Sequence, residues 1–202
     1  MHTRTILLAS VLLGSTLHAA TPAPTDSLVR RHYIGTSAFM LGNFLAEPPS
    51  FYQLNGGYWL TKKDVIGFEA ITWRYWAPLG IPYSDTDERQ FDYPGTVRSW
   101  GLGVAYQHYW WKGLYTSAHV IPFHQTYRDT LEQVIQRGFQ LYLILRAGYH
   151  LEFGAGRFFL EPALALPYWP VEPNLPESFQ MQEQRWKNYF LVEPSLHLGV
   201  KF

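Results

Sequence analysis

The chain contains no cysteine, which excludes disulfides and a lipid-modified amino-terminal cysteine, so the fold must hold without either. Charge is scarce, with Asp, Glu, Lys and Arg at 16% of residues, against about 25% in an ordinary soluble domain. The charges that exist cancel, sixteen basic against sixteen acidic. No basic block stands out, and that removes the electrostatic case for a nucleic-acid partner. Long apolar runs are missing too: past residue 20 none approaches the ~20 residues a membrane helix needs.

What is present is greasy and aromatic, 47% hydrophobic and 17% Phe, Trp and Tyr, so something other than water is expected to cover part of the surface. Only helices and closed barrels satisfy every backbone group in lipid, and without long apolar runs the barrel is left. Met1-His2-Thr3-Arg4, the apolar stretch from Ile6 to Leu17 and the small Ala19 and Ala20 form the three-part pattern of a cleaved secretory signal over residues 1–20. Residues 21–30, with Pro22 and Pro24, read as a disordered periplasmic lead-in. Removing the signal leaves 182 residues (202 − 20), enough for one domain, placed at 31–202.

Eight extended stretches are expected, at 31–44, 51–60, 65–76, 97–111, 114–127, 139–153, 157–168 and 188–202, all rich in β-branched and aromatic residues. Tight connections at Thr61-Lys62-Lys63-Asp64, Lys112-Gly113 and Gly154-Ala155-Gly156 alternate with longer ones. The longer ones include Asp85-Thr86-Asp87-Glu88-Arg89 and Pro173-Asn174-Leu175-Pro176-Glu177, with 45–50 the shortest of that set. This asymmetry gives the expected fold: an all-β, eight-stranded antiparallel up-and-down transmembrane β-barrel with short periplasmic turns and longer extracellular loops.

Alternation with period two supports it. In the last strand Phe190, Val192, Pro194, Leu196, Leu198, Val200 and Phe202 share one face, against Tyr189, Leu191, Glu193, Ser195, His197, Gly199 and Lys201. The first face suits lipid and the second a wet lumen. Residues 139–153 and 97–111 divide in the same way, with Gly101, Gly103 and Ala105 facing inward, as a narrow eight-stranded barrel requires. Glu69 and Arg74 have opposite parity, so a bulge is expected in the third strand, or else Arg74 above the lipid boundary. The segment 160–166 repeats at 192–198, each copy with an inward Glu and an outward Pro, and each proline is expected to mark a local kink.

The ending Leu196-His197-Leu198-Gly199-Val200-Lys201-Phe202, with its aromatic carboxyl terminus, resembles the small outer-membrane barrels of the OmpA-transmembrane, OmpX and OmpW type. It is still more similar to uncharacterised Bacteroidota barrels. The resemblance implies location in the cell outer membrane and an assembly signal at Leu198, Val200 and Phe202, read by the barrel-assembly machinery. Membrane lipid and lipopolysaccharide are the other implied partners, the expected state is a monomer, and no activity is transferred.

By parity the lumen should hold Glu69, His119, Arg146, His150, Glu152, Glu161, Glu193, His197 and Lys201 as a paired charge network. A two-residue turn at Ala155-Gly156 sets His150 opposite Glu161, a His–carboxylate pair able to act as a base. Ser117 and His119 share a face, and a nearby carboxylate would complete a hydrolytic set. Lipid A deacylases are similar, but with the His two residues before the Ser, the reverse of the order here. These four are the weak catalytic candidates. No cofactor is expected, and His119, His150 and His197 lack a tight metal-ligand spacing. Tyr75, Trp76, Tyr109, Trp110, Trp111, Tyr168, Trp169, Trp186 and Tyr189 are expected to form two interfacial girdles, or else a sugar-binding platform. The leading function is a structural or surface-interaction barrel with a plugged lumen. The alternatives are a lipid-modifying hydrolase or acyltransferase, a narrow pore for small solutes, and a soluble ligand-binding barrel of lipocalin type.

Overall fold

The computed structural model describes residues 30–45, 48–76, 94–183, 188–189 and 192–202. The expected signal, nearly all of the lead-in, the acidic run Asp85 to Arg89, and Trp186 lie outside them. The fold is all-β and antiparallel. Its strands are β1 (His32–Ser37), β2 (Tyr52–Trp59), β3 (Asp64–Trp76), β4 (Gly95–Trp111), β5 (Leu114–Asp129), β6 (Val134–Tyr149), β7 (Leu151–Phe153), β8 (Phe158–Val171) and β9 (Glu193–Lys201). β6 and β7 are one strand broken at His150, and both pair with β8, so the sheet closes into a ring of eight.

From strand to strand, Phe202 faces His32, then Tyr58, Ile66, Tyr106, Ala118, Leu145 and Leu166. Leu166 lies one step past the Ala165–Glu193 pair and so faces Val192, ten residues (202 − 192) from the start. A stagger of ten over eight strands, with ~3.3 Å rise and ~4.8 Å spacing, tilts the strands by ~40°.

One rim carries the tight turns and both described chain ends. There Lys112 and Gly113 take φ of 44° and 92°, the left-handed pair of a two-residue hairpin. The other rim departs from the sequence reading in three places. β1 stops at Ser37, whose hydroxyl accepts the Phe39 N–H (3.2 Å) and starts a 3-10 helix, η1 (Ala38–Phe44). Asn43 then takes the place of a strand neighbour for Phe51, accepting its N–H (2.9 Å) and donating to its carbonyl (2.6 Å). The connection from β5 to β6 is not a long loop, because the Asp129 carboxylate accepts the N–H groups of Leu131 and Gln133 (both 2.9 Å) and closes a four-residue turn at 130–133. β9 begins only at Glu193, after a short helix α1 (Glu177–Glu183) whose Phe179 packs on Tyr127 and covers the interior.

The register runs through β3 without a shift, so no bulge relieves the Glu69/Arg74 parity; Arg74 sits at the long-loop end and pairs with Glu132. Shifts occur instead at Tyr109/Trp111, Tyr127/Arg128 and Leu141/Leu143. No register shift accompanies either proline along β8–β9. The Phe202–His32 exchange puts the hydrogen bonds of even-numbered β9 residues toward β1. Pro194, which lacks an N–H, stands on that side beyond the end of β1. Pro162 faces the break between β6 and β7. Each proline occupies a gap in the ladder, where a donor is not needed.

Outward parity holds the exposed apolar side chains, inward parity a packed interior. That interior is less wet than expected. Trp59, Val65, Tyr109 and Tyr115 fill the short-turn end; Ile121, Phe123, Ile144 and Ala165 form a second apolar layer; Val97, Tyr127 and Phe179 close the top. Gly101 and Gly103 make the second layer possible: a Cβ on either would lie 2.6–2.7 Å from Ile121 or Phe123. Tyr109 and Trp169 belong to this interior rather than to a girdle, and Tyr75 packs against it. Trp110, Trp111 and Tyr168 do face out.

Candidate functional site

Two polar constellations lie in this interior, the upper between the first and second apolar layers and the lower at the short-turn end around Trp59 and Tyr109. In the upper one, β3 supplies Glu69, β5 supplies Ser117 and His119, and β6 supplies Arg146, each inward because each shares the parity of its buried neighbours. His119 Nδ1 lies 2.6 Å from Glu69 Oε1, and its Nε2 lies 2.8 Å from Ser117 Oγ. Arg146 Nη1 reaches Glu69 Oε1 at 3.4 Å and His119 Nε2 at 3.3 Å. The carboxylate that would complete a Ser–His–acid set is therefore Glu69, which the sequence placed inside the ring without joining it to the Ser–His pair.

The geometry does not suit a nucleophile. A general base needs its Nε2 lone pair free for the serine proton, and here the Arg146 guanidinium competes for it. The close approach of His119 Nδ1 to Glu69 is not an aligned hydrogen bond, since Nδ1 has no partner that meets the angular requirement. Ser117, His119 and Glu69 are only 5%, 6% and 3% exposed. The cavity beside them holds about 30 Å³, room for a water and not for a lipid or an ester. Ser117→Ala is expected to leave membrane lipid acylation unchanged by mass spectrometry, with a stability loss near ~1 kcal/mol for one buried hydrogen bond. An altered acylation pattern would restore the hydrolase reading.

The lower constellation is a chain of alternating charge. As the turn register requires, His150 meets Glu161, with Nδ1 at 2.7 Å from Oε1, while its Nε2 lies 3.0 Å from Glu152 Oε1. Glu152 in turn accepts from Lys201, whose ammonium sits 4.7 Å over the Trp59 ring. Gln107 (2.9 Å) and the Tyr109 hydroxyl (3.1 Å) also donate to Glu161. Between two carboxylates the ring donates through both nitrogens only as an imidazolium, and in that form two carboxylates and two cations balance.

His197 is buried opposite Glu161 in the register but makes no hydrogen bond through Nε2. Glu193 lies nearer the long-loop rim, lining the same cavity as Arg146 but not paired with it. Among the described residues no group of three or more His, Asp or Glu is placed to hold a metal ion. Parity also put Gln107 on the inward face, though not in the charge network; Tyr109 was assigned to a girdle, and Tyr33 and Tyr115 were left out, although the odd numbers of all three on β4, β1 and β5 were the available signal. No family model, curated protein or solved structure matches the chain.

Proposed function

We propose that the chain is an outer-membrane β-barrel with a sealed, charge-paired lumen, exported by a cleaved signal, with a structural or surface-interaction role carried by its long-loop rim. The observation that carries this is the height of the apolar belt. On β3, β4 and β5 the outward residues Asp64, His108 and Thr116 form one register row. Arg74, Arg98 and Thr126 form another, ten residues away on each strand (74 − 64, 108 − 98, 126 − 116). Ten residues at ~3.3 Å, tilted by ~40°, stand ~25 Å tall, the apolar height of a membrane barrel. Between the rows stand Ile66, Phe68, Trp100, Leu102, Val104, Tyr106 and Val120, 43–75% exposed. Apart from the Tyr106 phenol, His124, one step below the upper row, is the only ionisable side chain at the outward positions between the rows on these three strands. A soluble monomer rarely exposes so large a continuous apolar surface, which argues against the lipocalin reading.

The rims of the belt fit the two interfaces. Tyr106, Trp110, Trp111 and Phe202 edge the short-turn side, with Tyr52, Trp100 and Phe139 on the other. Above the second group Arg74, Arg98 and Arg137 share a row, Arg98 feels the like charges of Arg74 and Arg128, and Glu132 pairs with Arg74. An excess of guanidinium at the outer interface suits the phosphates of lipopolysaccharide. Leu198, Val200 and Phe202 lie on the outward face, where an assembly signal must be readable.

Membrane fractionation followed by electrophoresis of heated and unheated samples tests the reading. The expected result is an outer-membrane protein that migrates differently when boiled and shows negligible conductance in planar bilayers. Recovery in the soluble periplasm would overturn it.

A further inference from the structure

The wall of the ring has a gap. β1 pairs with β9 only as far as Ser37 and His197, then leaves the sheet as η1. Residues Glu193–Leu196 of β9 therefore have no strand on that side, and Pro194 sits there without a donor to satisfy. Behind the gap lies a chamber of about 320 Å³. Its walls combine inward side chains, Phe123, Tyr142 and Ile144 among them, with Pro194 and Leu196 from the outer face of β9. A cavity lined by both faces of one strand passes through the sheet.

We propose that this chamber binds one uncharged apolar molecule, an aromatic or short acyl compound that enters sideways from the bilayer through the opening between β9 and η1. The inference rests on the membrane reading above. Three observations choose the occupant. The opening lies beside Leu196 in the apolar belt, so what reaches it has dissolved in lipid. The lining is mainly aromatic and aliphatic, with Phe39, Phe51 and Trp73 completing it. The acidic and basic groups that face the chamber are Arg146, Glu193 and His197; Arg146 is already engaged by Glu69 and Glu193 is itself an acid, which leaves no net positive charge to hold an anion. The volume is about twice the ~150 Å³ that accommodates a benzene, which suits two fused rings.

The test is calorimetric titration of 2-naphthol into the full chain reconstituted in phosphatidylcholine nanodiscs, with empty nanodiscs as the blank. Reconstitution is confirmed first by co-elution and heat-modifiability, so failure of the membrane reading registers separately from failure to bind. Saturable one-to-one binding is expected, at least tenfold weaker for 2-naphthoate and for Ala165→Phe, which fills the chamber, and for Ala38→Trp, which blocks its mouth. If Ala165→Phe does not fold, Ala38→Trp decides. Non-saturable uptake, or binding unchanged by the blocking variant, would overturn the proposal, as would equal affinity for the naphthoate anion.

Discussion

Glu69→Leu is expected to destabilise the protein by about 3–5 kcal/mol, the loss seen when one partner of a buried ion pair is removed. The carboxylate is 3% exposed and lies within 3.4 Å of Arg146 Nη1 and 2.6 Å of His119 Nδ1. Without it the guanidinium keeps its charge in an enclosed interior, since Glu69 is the one carboxylate paired with it among the described residues. The penalty belongs to the orphaned cation and not to the missing attraction, and a second variant separates the two. Glu69→Leu combined with Arg146→Met should recover most of the loss, because replacing a whole buried pair with apolar side chains is often neutral or better. Urea unfolding of refolded protein in lipid vesicles, followed by the heat-modifiable band, measures both. If the double variant is as unstable as the single, the charges are not a mutually compensating pair.

Val104→Arg should cost about 2–4 kcal/mol in the same vesicles, the depth-dependent penalty for a cation at the lipid-facing midplane of a barrel. Val104 stands six residues from Arg98 and four from His108, near the middle of the belt, and is 60% exposed. Its outward neighbours in the register are Phe68 and Val120, so no acidic partner is at hand. In a water-soluble fold the same change at so exposed a site would move stability by no more than about 0.5 kcal/mol. The measurement therefore separates acyl chains from water as the surrounding medium. A cost near zero would remove the basis of the membrane reading, whatever the strand topology.

Much of the ring was legible in the sequence because period-two alternation and turn chemistry are local. Gly113, Gly154 and Gly156 fix their hairpins through positive-φ backbone conformations that glycine adopts freely, and the register of the second turn carried His150 to Glu161. The girdles were harder. Tyr109 and Trp110 are equally aromatic neighbours, and only their parity sends one into the interior and leaves the other outside. The turn after Asp129 was misread as a long loop because its polar residues resemble one, although two hydrogen bonds to a single carboxylate make it a tight hairpin.

The sequence by itself determined the all-β class, the tight turns and which side chains share a face, since these depend on residues within a few positions of one another. Tertiary structure decided that Glu69, not Glu161, meets the Ser117–His119 pair, that the interior is layered, and that β1 ends early enough to open the wall. Those outcomes depend on the ten-residue stagger of the closed ring, which sets the height at which distant strands meet. No local pattern encodes that stagger, because it is a sum of offsets taken around the whole circuit.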